Sequence, residues 1–394
     1  HYLTGVEAPG AALILDAETG EAHLFLPPVS EGAARWEGPR PGPGPETARA
    51  TGIRDVRPRE EFDAALRRLL GARDVVYLPH APPEPPPTSP MDAAQAWQAV
   101  MEDPWQLLPH RNLRLVELVK ERFPAVEVRD LSPILFELRW VKSPREQEYL
   151  RRTGLIGALG VAEAIRSTRP GYGEWEIAAA ARFVQDALGQ AEDAFAPILA
   201  SGPNVNIIHY DALGRRVEPR DLLLLDYGSD YRYYKSDVTR TWAATGRFTP
   251  EQLEYYRTVQ LIRDSVIAAI RPGATIAGLL EIARRIARAR GHEAVAWPTA
   301  YGYIGHPVGL ALHDPEPPGA ESRPLVPGVV YNVEPIIDLP ERGWHFRLED
   351  TVLVTATGHE VFTAAVPADP DGLLRLYEET GVLEWWKGAA RGAP

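Results

Sequence analysis

The first third of the chain alternates short apolar runs with longer segments in which apolar residues recur every three or four positions. Residues 11–15, 23–26 and 75–78 have the short apolar character of β-strands. Residues 58–70 and 112–123 have the spacing of amphipathic helices. This alternation predicts a domain of α/β class over residues 1–138.

Two proline-rich stretches interrupt this predicted domain, at residues 38–46 and 81–87. Proline lacks a backbone N–H and has a fixed φ, so we expect neither stretch to form a helix or a central strand. Both are predicted to be surface loops.

A change of pattern at residues 138–148 predicts the junction to a second domain. Ser143 has the features of a helix N-cap, because Pro144 takes the first helical position and Glu146 lies three residues after the cap. The helix that begins there is predicted to extend to about Ser167.

After the junction, two helices followed by a set of strands occur twice. The predicted helices cover residues 144–167 and 174–188 in the first half, and residues 250–270 and 276–290 in the second. The predicted strands carry His209, Asp226 and Asp237 in the first half, and His306, Glu334 and Glu349 in the second. This order predicts a second domain of α+β class built from two similar halves.

Bulk composition restricts the class of protein. At 394 residues the chain exceeds one typical domain. Its 42 basic and 54 acidic residues give a net charge of −12, which argues against nucleic acid as the main partner. The sequence contains no run of about eighteen apolar residues, so it predicts no membrane helix. The chain has no cysteine, which excludes disulfides, thiolate metal sites and a cysteine nucleophile.

Two aspartates frame a predicted hairpin. Asp226 ends the apolar run 222–226, and Asp237 follows eleven positions later. On one straight strand this odd spacing would direct the two side chains to opposite faces. A hairpin that turns through residues 228–230, or just after them, would instead bring both carboxylates to one face.

Five side chains are predicted to form one metal cluster, and each lies in its own short motif: Asp226, Asp237, His306, Glu334 and Glu349. Four carboxylates and one imidazole bring too much negative charge together to converge without a cation. Oxygen ligands with one imidazole suit two hard or borderline divalent ions.

At these residues the chain resembles the creatinase/aminopeptidase P/prolidase superfamily of metallopeptidases, whose catalytic domain has the pita-bread fold. Tyr2-Leu-Thr-Gly5 and Leu24-Phe-Leu-Pro-Pro28 resemble the N-terminal domain of aminopeptidase P, and residues 196–210 resemble the segment that carries a substrate-side histidine. The resemblance implies an aminopeptidase P-type domain over residues 1–138, expected to lack its first elements, and a pita-bread domain over residues 139–394.

The resemblance also implies a role for each ligand. Two divalent ions per chain are expected, Mn²⁺ in preference to Zn²⁺ or Co²⁺, with a bridging hydroxide that attacks the peptide bond. Asp237 and Glu349 would bridge the ions, Asp226 would complete the shell of the first, and His306 and Glu334 that of the second. Glu334 would also carry the proton to the leaving nitrogen.

Three further residues match substrate-side positions of the family. His209 lies seventeen residues before Asp226, and His313 lies seven after His306. Both would contact the substrate carbonyl, the alternative being a purely structural role. Arg347 precedes Glu349 by two and is expected on the same strand face, either at the pocket edge or orienting the carboxylate.

The chain departs from the family pattern in the pocket wall. Gly302 stands where many members have a second histidine, and Ile336 and Ile337 follow Glu334-Pro335 where a glycine and a tyrosine are common. These changes leave the metal ligands intact and are expected to open the cleft. They bear on substrate preference more than on catalysis.

The resulting hypothesis is an aminopeptidase that cleaves the N-terminal Xaa-Pro bond of proline-containing peptides. The alternatives are a prolidase restricted to Xaa-Pro dipeptides and a non-catalytic pita-bread binding module. We expect a homo-oligomer, either a dimer or a tetramer, with the loop at residues 38–46 either on the surface or near a neighbouring subunit's cleft. Neither nucleic acid nor a membrane is an expected partner. A cytoplasmic location is favoured, with a periplasmic or secreted one open because the N-terminus is expected to be truncated.

Overall fold

A computed structural model of the chain describes residues 2–84, 90–103, 105 and 109–391. Its helices are α1 (Glu31–Glu37), α2 (Pro45–Thr51), α3 (Phe62–Leu70), α4 (Pro90–Glu102), α5 (Arg111–Arg122), α6 (Ser132–Trp140), α7 (Pro144–Arg166), α8 (Glu174–Ala187), α9 (Pro250–Ala269), α10 (Ile276–Ala289), α11 (Trp297–Ala300), α12 (Pro370–Glu378) and α13 (Val382–Arg391).

Its strands are β1 (Ala12–Asp16), β2 (Glu21–Leu26), β3 (Asp55–Pro58), β4 (Val75–Leu78), β5 (Glu127–Asp130), β6 (Glu192–Asp193), β7 (Ile198–Ser201), β8 (Leu222–Asp226), β9 (Ser229–Tyr231), β10 (Tyr234–Lys235), β11 (Thr239–Ala243), β12 (Val330–Val333), β13 (Ile336–Leu339), β14 (Trp344–Arg347), β15 (Asp350–Val354) and β16 (His359–Val361). Short 3₁₀ helices cover Arg59–Glu61, Gly202–Asn206, Ala320–Ser322 and Pro340–Arg342.

The chain forms two compact units. The N-terminal unit comprises His1–Leu78 and Arg114–Asp130, and the large unit comprises Pro79–Leu113 and Leu131–Pro394. Segments before residue 138 therefore contribute to the large unit. The domain boundary at residues 138/139 stays a prediction.

The N-terminal unit is an α/β structure, as predicted. Strand β2 lies between β1 and β3, antiparallel to the first and parallel to the second, and β4 pairs in parallel with β5. Val6, Leu24 and Leu26 form a small buried cluster. Parallel pairing needs crossover connections, which the helices between the strands provide.

The first proline-rich stretch is only partly a loop. Residues 38–44 are irregular, but Pro45 and Glu46 open helix α2, so the prediction that the whole stretch is non-helical was wrong at its end. Proline fits the first helical position, where its missing N–H would have no partner in any case. In the second stretch residues 81–84 are irregular, and residues 85–87 lie outside the described part of the chain.

The large unit repeats one order of elements, as predicted. Helices α7 and α8 precede β6 to β11, and helices α9 and α10 precede β12 to β16. Helix α7 begins with the predicted capping box, in which Glu146 N donates to Ser143 Oγ at 3.4 Å and Ser143 N donates to Glu146 Oε2 at 2.8 Å. The boundaries of these four helices agree with the predictions within one or two residues.

Strand β8 lies in the centre of a three-stranded sheet, antiparallel to both β7 and β11. Its five residues are all buried. Leu223 and Leu225 belong to the main core with side chains of α7 and α9, while Leu224 packs on the other face against Ile198 and Tyr210. Because both faces are covered, the strand provides a rigid base for Asp226 at its end.

The predicted hairpin between the two aspartates is present. Thr239 of β11 lies opposite Asp226 of β8, and β9 pairs with β10 in a separate sheet up to a tight turn. Arg232 and Tyr233 form that turn with φ of 55° and 74°, values that suit a two-residue hairpin connection. The chain therefore turns just after residues 228–230.

In the part of the chain that the structure describes, no helix is both long enough and apolar enough to cross a membrane.

Candidate metal centre

The predicted ligands lie mainly where strands are interrupted. Asp226 is the last residue of β8, but the other four lie outside the strands: Asp237 before β11, His306 before Pro307, Glu334 between β12 and β13, and Glu349 between β14 and β15. The prediction that strands carry them was wrong for these four, and also for His209, which lies in a turn. A regular strand directs successive side chains to opposite faces, and a break in the strand releases a side chain from this alternation.

Backbone hydrogen bonds hold the histidine segment beside β12. Asn332 N donates to His306 O at 2.7 Å, and Glu334 N donates to Ile304 O at 2.8 Å. Gly305 has φ of 148°, and a Cβ there would lie 1.9 Å from Asn332 O. This close approach requires glycine and sets the position of His306 relative to Glu334.

Three of the five predicted ligands lie close together. Asp237, His306 and Glu349 each offer a ligand atom within 4.8 Å of the others. His306 Nε2 lies 3.5 Å from Asp237 Oδ2 and 3.6 Å from Glu349 Oε1. All three side chains are buried. Two carboxylates and an imidazole at this spacing can hold one divalent ion.

Arg347 contacts both of the remaining predicted ligands. Its Nη1 lies 3.1 Å from Asp226 Oδ2 and 3.1 Å from Glu334 Oε1. Arg347 is the last residue of β14, and Glu349 lies beyond the end of that strand. The prediction that the two residues share one strand face was therefore wrong. The contacts favour the interpretation that Arg347 orients carboxylates.

Three further side chains bind the ligands and were not predicted from the sequence. Asn332 Nδ2 donates to Glu349 Oε1 at 2.7 Å, and Thr239 Oγ1 donates to Glu349 Oε2 at 2.7 Å. Tyr303 OH donates to Glu334 Oε2 at 2.6 Å. Asn332 and Thr239 lie two positions from a ligand, a spacing that could have indicated them. No comparable signal indicated Tyr303.

Burial and mutual repulsion both raise carboxyl pKa values in the cluster. Burial, and then the charges of Glu349 and Asp226, raises the pKa of Asp237 well above its usual range. Burial, and then the charges of Glu334 and Asp226, raises the pKa of Glu349 to about 7. Like charges in a buried site disfavour each other's ionisation, and a cation among them removes this penalty.

The donor set fits divalent metal ions. Asp226 Oδ1 and Asp237 Oδ1 are buried and have no hydrogen-bond partner among the described residues. A buried carboxylate oxygen without a partner is costly, and a metal ion would satisfy both atoms. The surrounding carboxylates and imidazole are ligands that hard and borderline ions prefer.

The two predicted substrate-side histidines lie near the cluster. The rings of His306 and His313 stack with centroids 3.8 Å apart. Burial, and then the charges of His306 and His209, lowers the pKa of His313 to about 2, so its imidazole is neutral near pH 7. His209 is exposed in its turn. A neutral imidazole and an exposed one can both act as hydrogen-bond donors to a substrate oxygen.

A buried carboxylate organises the segment that carries His209. Glu174, at the start of α8, accepts hydrogen bonds from Ser201 N and Ser201 Oγ at 2.8 and 2.7 Å, and from Tyr210 OH at 2.9 Å. It also accepts from Arg215 N at 2.8 Å. These bonds hold both ends of the irregular segment around His209.

Comparison with known proteins identifies the family. Residues 148–356, more than half of the chain's 394 residues, match metallopeptidase family M24. The chain belongs to this family. Residues 1–77 match the aminopeptidase P N-terminal domain.

Several named proteins are similar to the M24 chain over much of its length. Xaa-Pro aminopeptidase of Escherichia coli is 30% identical, over 95% of this chain and 87% of its own. Xaa-Pro dipeptidase of Pyrococcus furiosus is 32% identical, over 63% of this chain and 70% of its own. The structure of proline aminopeptidase P II from Yersinia pestis has a TM-score of 0.77 and 28% identity, covering 95% of this chain and 88% of that chain.

These findings confirm the predicted fold and reaction class. The M24 chain combines an aminopeptidase P N-terminal domain with a pita-bread catalytic domain. It is a metallo-aminopeptidase, a hydrolase that depends on divalent metal ions.

Proposed function

We propose that this M24 chain removes the N-terminal residue of peptides whose second residue is proline. The observation that carries the proposal is the convergence of Asp237, His306 and Glu349, with Asp226 and Glu334 joined to one another through Arg347. This set can hold metal ions and also contains a carboxylate suited to proton transfer.

The fraction of this chain that each relative aligns with supports an aminopeptidase over a dipeptidase. The Escherichia coli aminopeptidase aligns with 95% of this chain, whereas the Pyrococcus furiosus dipeptidase aligns with 63%. The match of residues 1–77 to the aminopeptidase P N-terminal domain points in the same direction. We also propose that the boundary between the two domains lies at residues 138/139.

We infer that two divalent ions bind per chain, with Mn²⁺ preferred and Zn²⁺ or Co²⁺ accepted. The residues that would hold them are Asp226, Asp237, His306, Glu334 and Glu349. Bound divalent ions would lower the pKa of a water molecule and polarise the scissile carbonyl. The unpartnered Oδ1 atoms of Asp226 and Asp237 support ions at both aspartates.

Glu334 is suited to proton transfer. It is buried, and Arg347 and Tyr303 hold its two oxygens. In the proposed reaction Glu334 accepts a proton from the attacking water and passes it to the proline nitrogen. That nitrogen belongs to a tertiary amide and must be protonated before it leaves, so a carboxylate held at the site serves the step.

His209 and His313 are proposed to bind the substrate carbonyl. His313 stacks on His306 and is kept neutral by its surroundings, so it can donate a hydrogen bond without adding positive charge beside the metal site. His209 lies close enough for its charge to lower the pKa of His313. Donors aimed at an oxygen that gains negative charge stabilise the transition state.

The alternative within the family is a prolidase, and the observation behind it is the 32% identity to the Pyrococcus furiosus dipeptidase. A non-catalytic binding module is a weaker alternative, since the ligand positions all carry side chains able to bind metal. We also propose that the chain forms a homo-oligomer, a dimer or a tetramer, which analytical ultracentrifugation of the purified protein would test.

A matched peptide panel tests the proposal. Purified protein with added Mn²⁺ is given H-Xaa-Pro-OH, H-Xaa-Pro-Yaa-Zaa and, as a control, H-Xaa-Ala-Yaa-Zaa. We expect release of Xaa from the proline tetrapeptide and little release from the alanine peptide. Hydrolysis of the dipeptide alone would establish the prolidase instead, and no hydrolysis of any peptide would support the binding module.

A further inference from the structure

Tyr303 has a contact that none of the assigned roles explains. Its hydroxyl donates a hydrogen bond to Glu334 Oε2 at 2.6 Å, which is short for an O–H···O bond. The phenol supplies the proton of this bond and the carboxyl oxygen accepts it. The contact therefore constrains the orientation of the Glu334 carboxylate.

A backbone hydrogen bond holds the segments that carry Tyr303 and Glu334 side by side. Ile304, the next residue after Tyr303, accepts a 2.8 Å hydrogen bond from Glu334 N through its carbonyl oxygen. Tyr303 is thus held one residue from a direct backbone link to its partner. The ring of Trp297 lies edge-on to the Tyr303 ring, with centroids 6.2 Å apart, a favourable arrangement for an aromatic pair.

Both oxygens of Glu334 have a donor from this chain. Tyr303 OH holds Oε2, and Arg347 Nη1 holds Oε1 at 3.1 Å. A carboxylate has about four lone-pair sites, so two hydrogen bonds leave others for a metal ion and for the transferred proton. With two donors on opposite oxygens, the carboxylate plane has a defined direction.

We propose that Tyr303 is a positioning residue that orients the Glu334 carboxylate for proton transfer. The inference rests on the proposed function, in which Glu334 carries the proton from the attacking water to the proline nitrogen. Tyr303 acts through Glu334 and needs no contact with substrate. Misplacement of a proton-transfer group lowers the rate of the chemical step more than it weakens substrate binding.

The variant Tyr303→Phe tests this role, because it removes the hydroxyl and keeps the ring against Trp297. We expect kcat on H-Xaa-Pro-Yaa-Zaa to fall by about tenfold to a hundredfold, the range typical for loss of a hydrogen bond to a charged group. KM should change by less than about twofold. Metal stoichiometry measured by calorimetric titration with Mn²⁺, and the Tm of the metal-loaded protein, should match those of wild type.

Tyr301→Phe is the matched control, since Tyr301 lies two residues away and is 72% exposed. It should retain wild-type kcat, KM and metal binding. A wild-type kcat in Tyr303→Phe would overturn the role of Tyr303, and so would a loss of bound metal that accounts for its lower rate. A wild-type enzyme inert on the proline tetrapeptide would instead overturn the proposed function, so the two failures are distinguishable.

Discussion

Lys142 and Asp314 form a buried ion pair, with 3.0 Å between Lys142 Nζ and Asp314 Oδ2, although they lie 172 positions apart in the sequence. Arg139 Nη2 joins the pair at 2.6 Å from Asp314 Oδ1. Asp314 directly follows His313. These ion pairs of Asp314 with Arg139 and Lys142 therefore anchor the segment that carries His313 to the residues just before helix α7.

Asp314→Asn should destabilise the protein and lower its activity. The change leaves the charge of Lys142 buried without its partner, and breaking a buried ion pair typically costs about 3–5 kcal/mol of unfolding free energy. Because His313 is the next residue, kcat should fall as well. Urea unfolding and peptide hydrolysis with metal-loaded protein measure both effects.

Asp74→Asn is the matched control for this prediction, because Asp74 is exposed and lies in the N-terminal unit. It should change the unfolding free energy by less than about 0.5 kcal/mol. If Asp314→Asn caused as small a change, the buried pair with Lys142 would not stabilise the fold, and its role as an anchor would be refuted.

Acid should destabilise the protein through Asp314 and Asp350. Burial acts to raise the pKa of each, but Lys142 and Arg139 around Asp314, and Arg240 and Arg263 around Asp350, outweigh it and lower both. A folded-state pKa below the unfolded value of about 4 means that the stabilisation is complete above that pH and is lost as pH falls through the folded pKa.

The measurement for this acid effect is Tm as a function of pH between about 5 and 2.5. Wild type should lose stability steeply below pH 4 or so, and Asp314→Asn less steeply, since one of the contributing groups is gone. Parallel curves for the two proteins would contradict the assignment to Asp314.

Metal removal should abolish activity and make stability depend on pH near neutrality. In the metal-free protein the pKa of Glu349 is raised to about 7. A raised carboxyl pKa contributes stability below the unfolded pKa, and this contribution is lost as pH rises through about 7. The Tm of chelated protein should therefore fall between about pH 5 and 8, and Mn²⁺ should restore both Tm and turnover.

Two variants check the origin of this effect. Glu349→Ala should lose most of its bound metal and its activity, and its chelated form should show a flatter dependence of Tm on pH. Glu341→Gln, a change at an exposed site, should behave as wild type. Full turnover after exhaustive chelation, verified by elemental analysis, would refute the requirement for metal.

His209→Ala and His313→Ala should each lower kcat by roughly a hundredfold while metal content is retained, because loss of an oxyanion donor typically has an effect of this size. His359→Ala, at an exposed histidine, is the control and should leave kcat unchanged. Loss of metal in His313→Ala would show that its stacking on His306 supports the metal site instead.

Much of the secondary structure follows from local rules in the sequence. Ser143, Pro144 and Glu146 were sufficient to place the start of α7, because a capping box involves residues only three positions apart. The same rules did not predict where the strands are interrupted near the predicted ligands. Asp237 and Glu349 lie in breaks of the sheet, and breaks depend on how neighbouring strands pair, which apolar patterning does not encode.

Composition and motif order were enough to predict a carboxylate-rich metal site with five candidate ligands, of which the structure brings Asp237, His306 and Glu349 together. The hydrogen-bond partners of those residues, and the ion pair that anchors the segment of His313, appear only in the folded chain. Arg347 bonds Glu334 across 13 positions, Tyr303 bonds it across 31, and Lys142 reaches Asp314 across 172. Rules of helical and strand spacing extend over a few residues, whereas these contacts depend on the packing of helices and sheets that bring distant segments together.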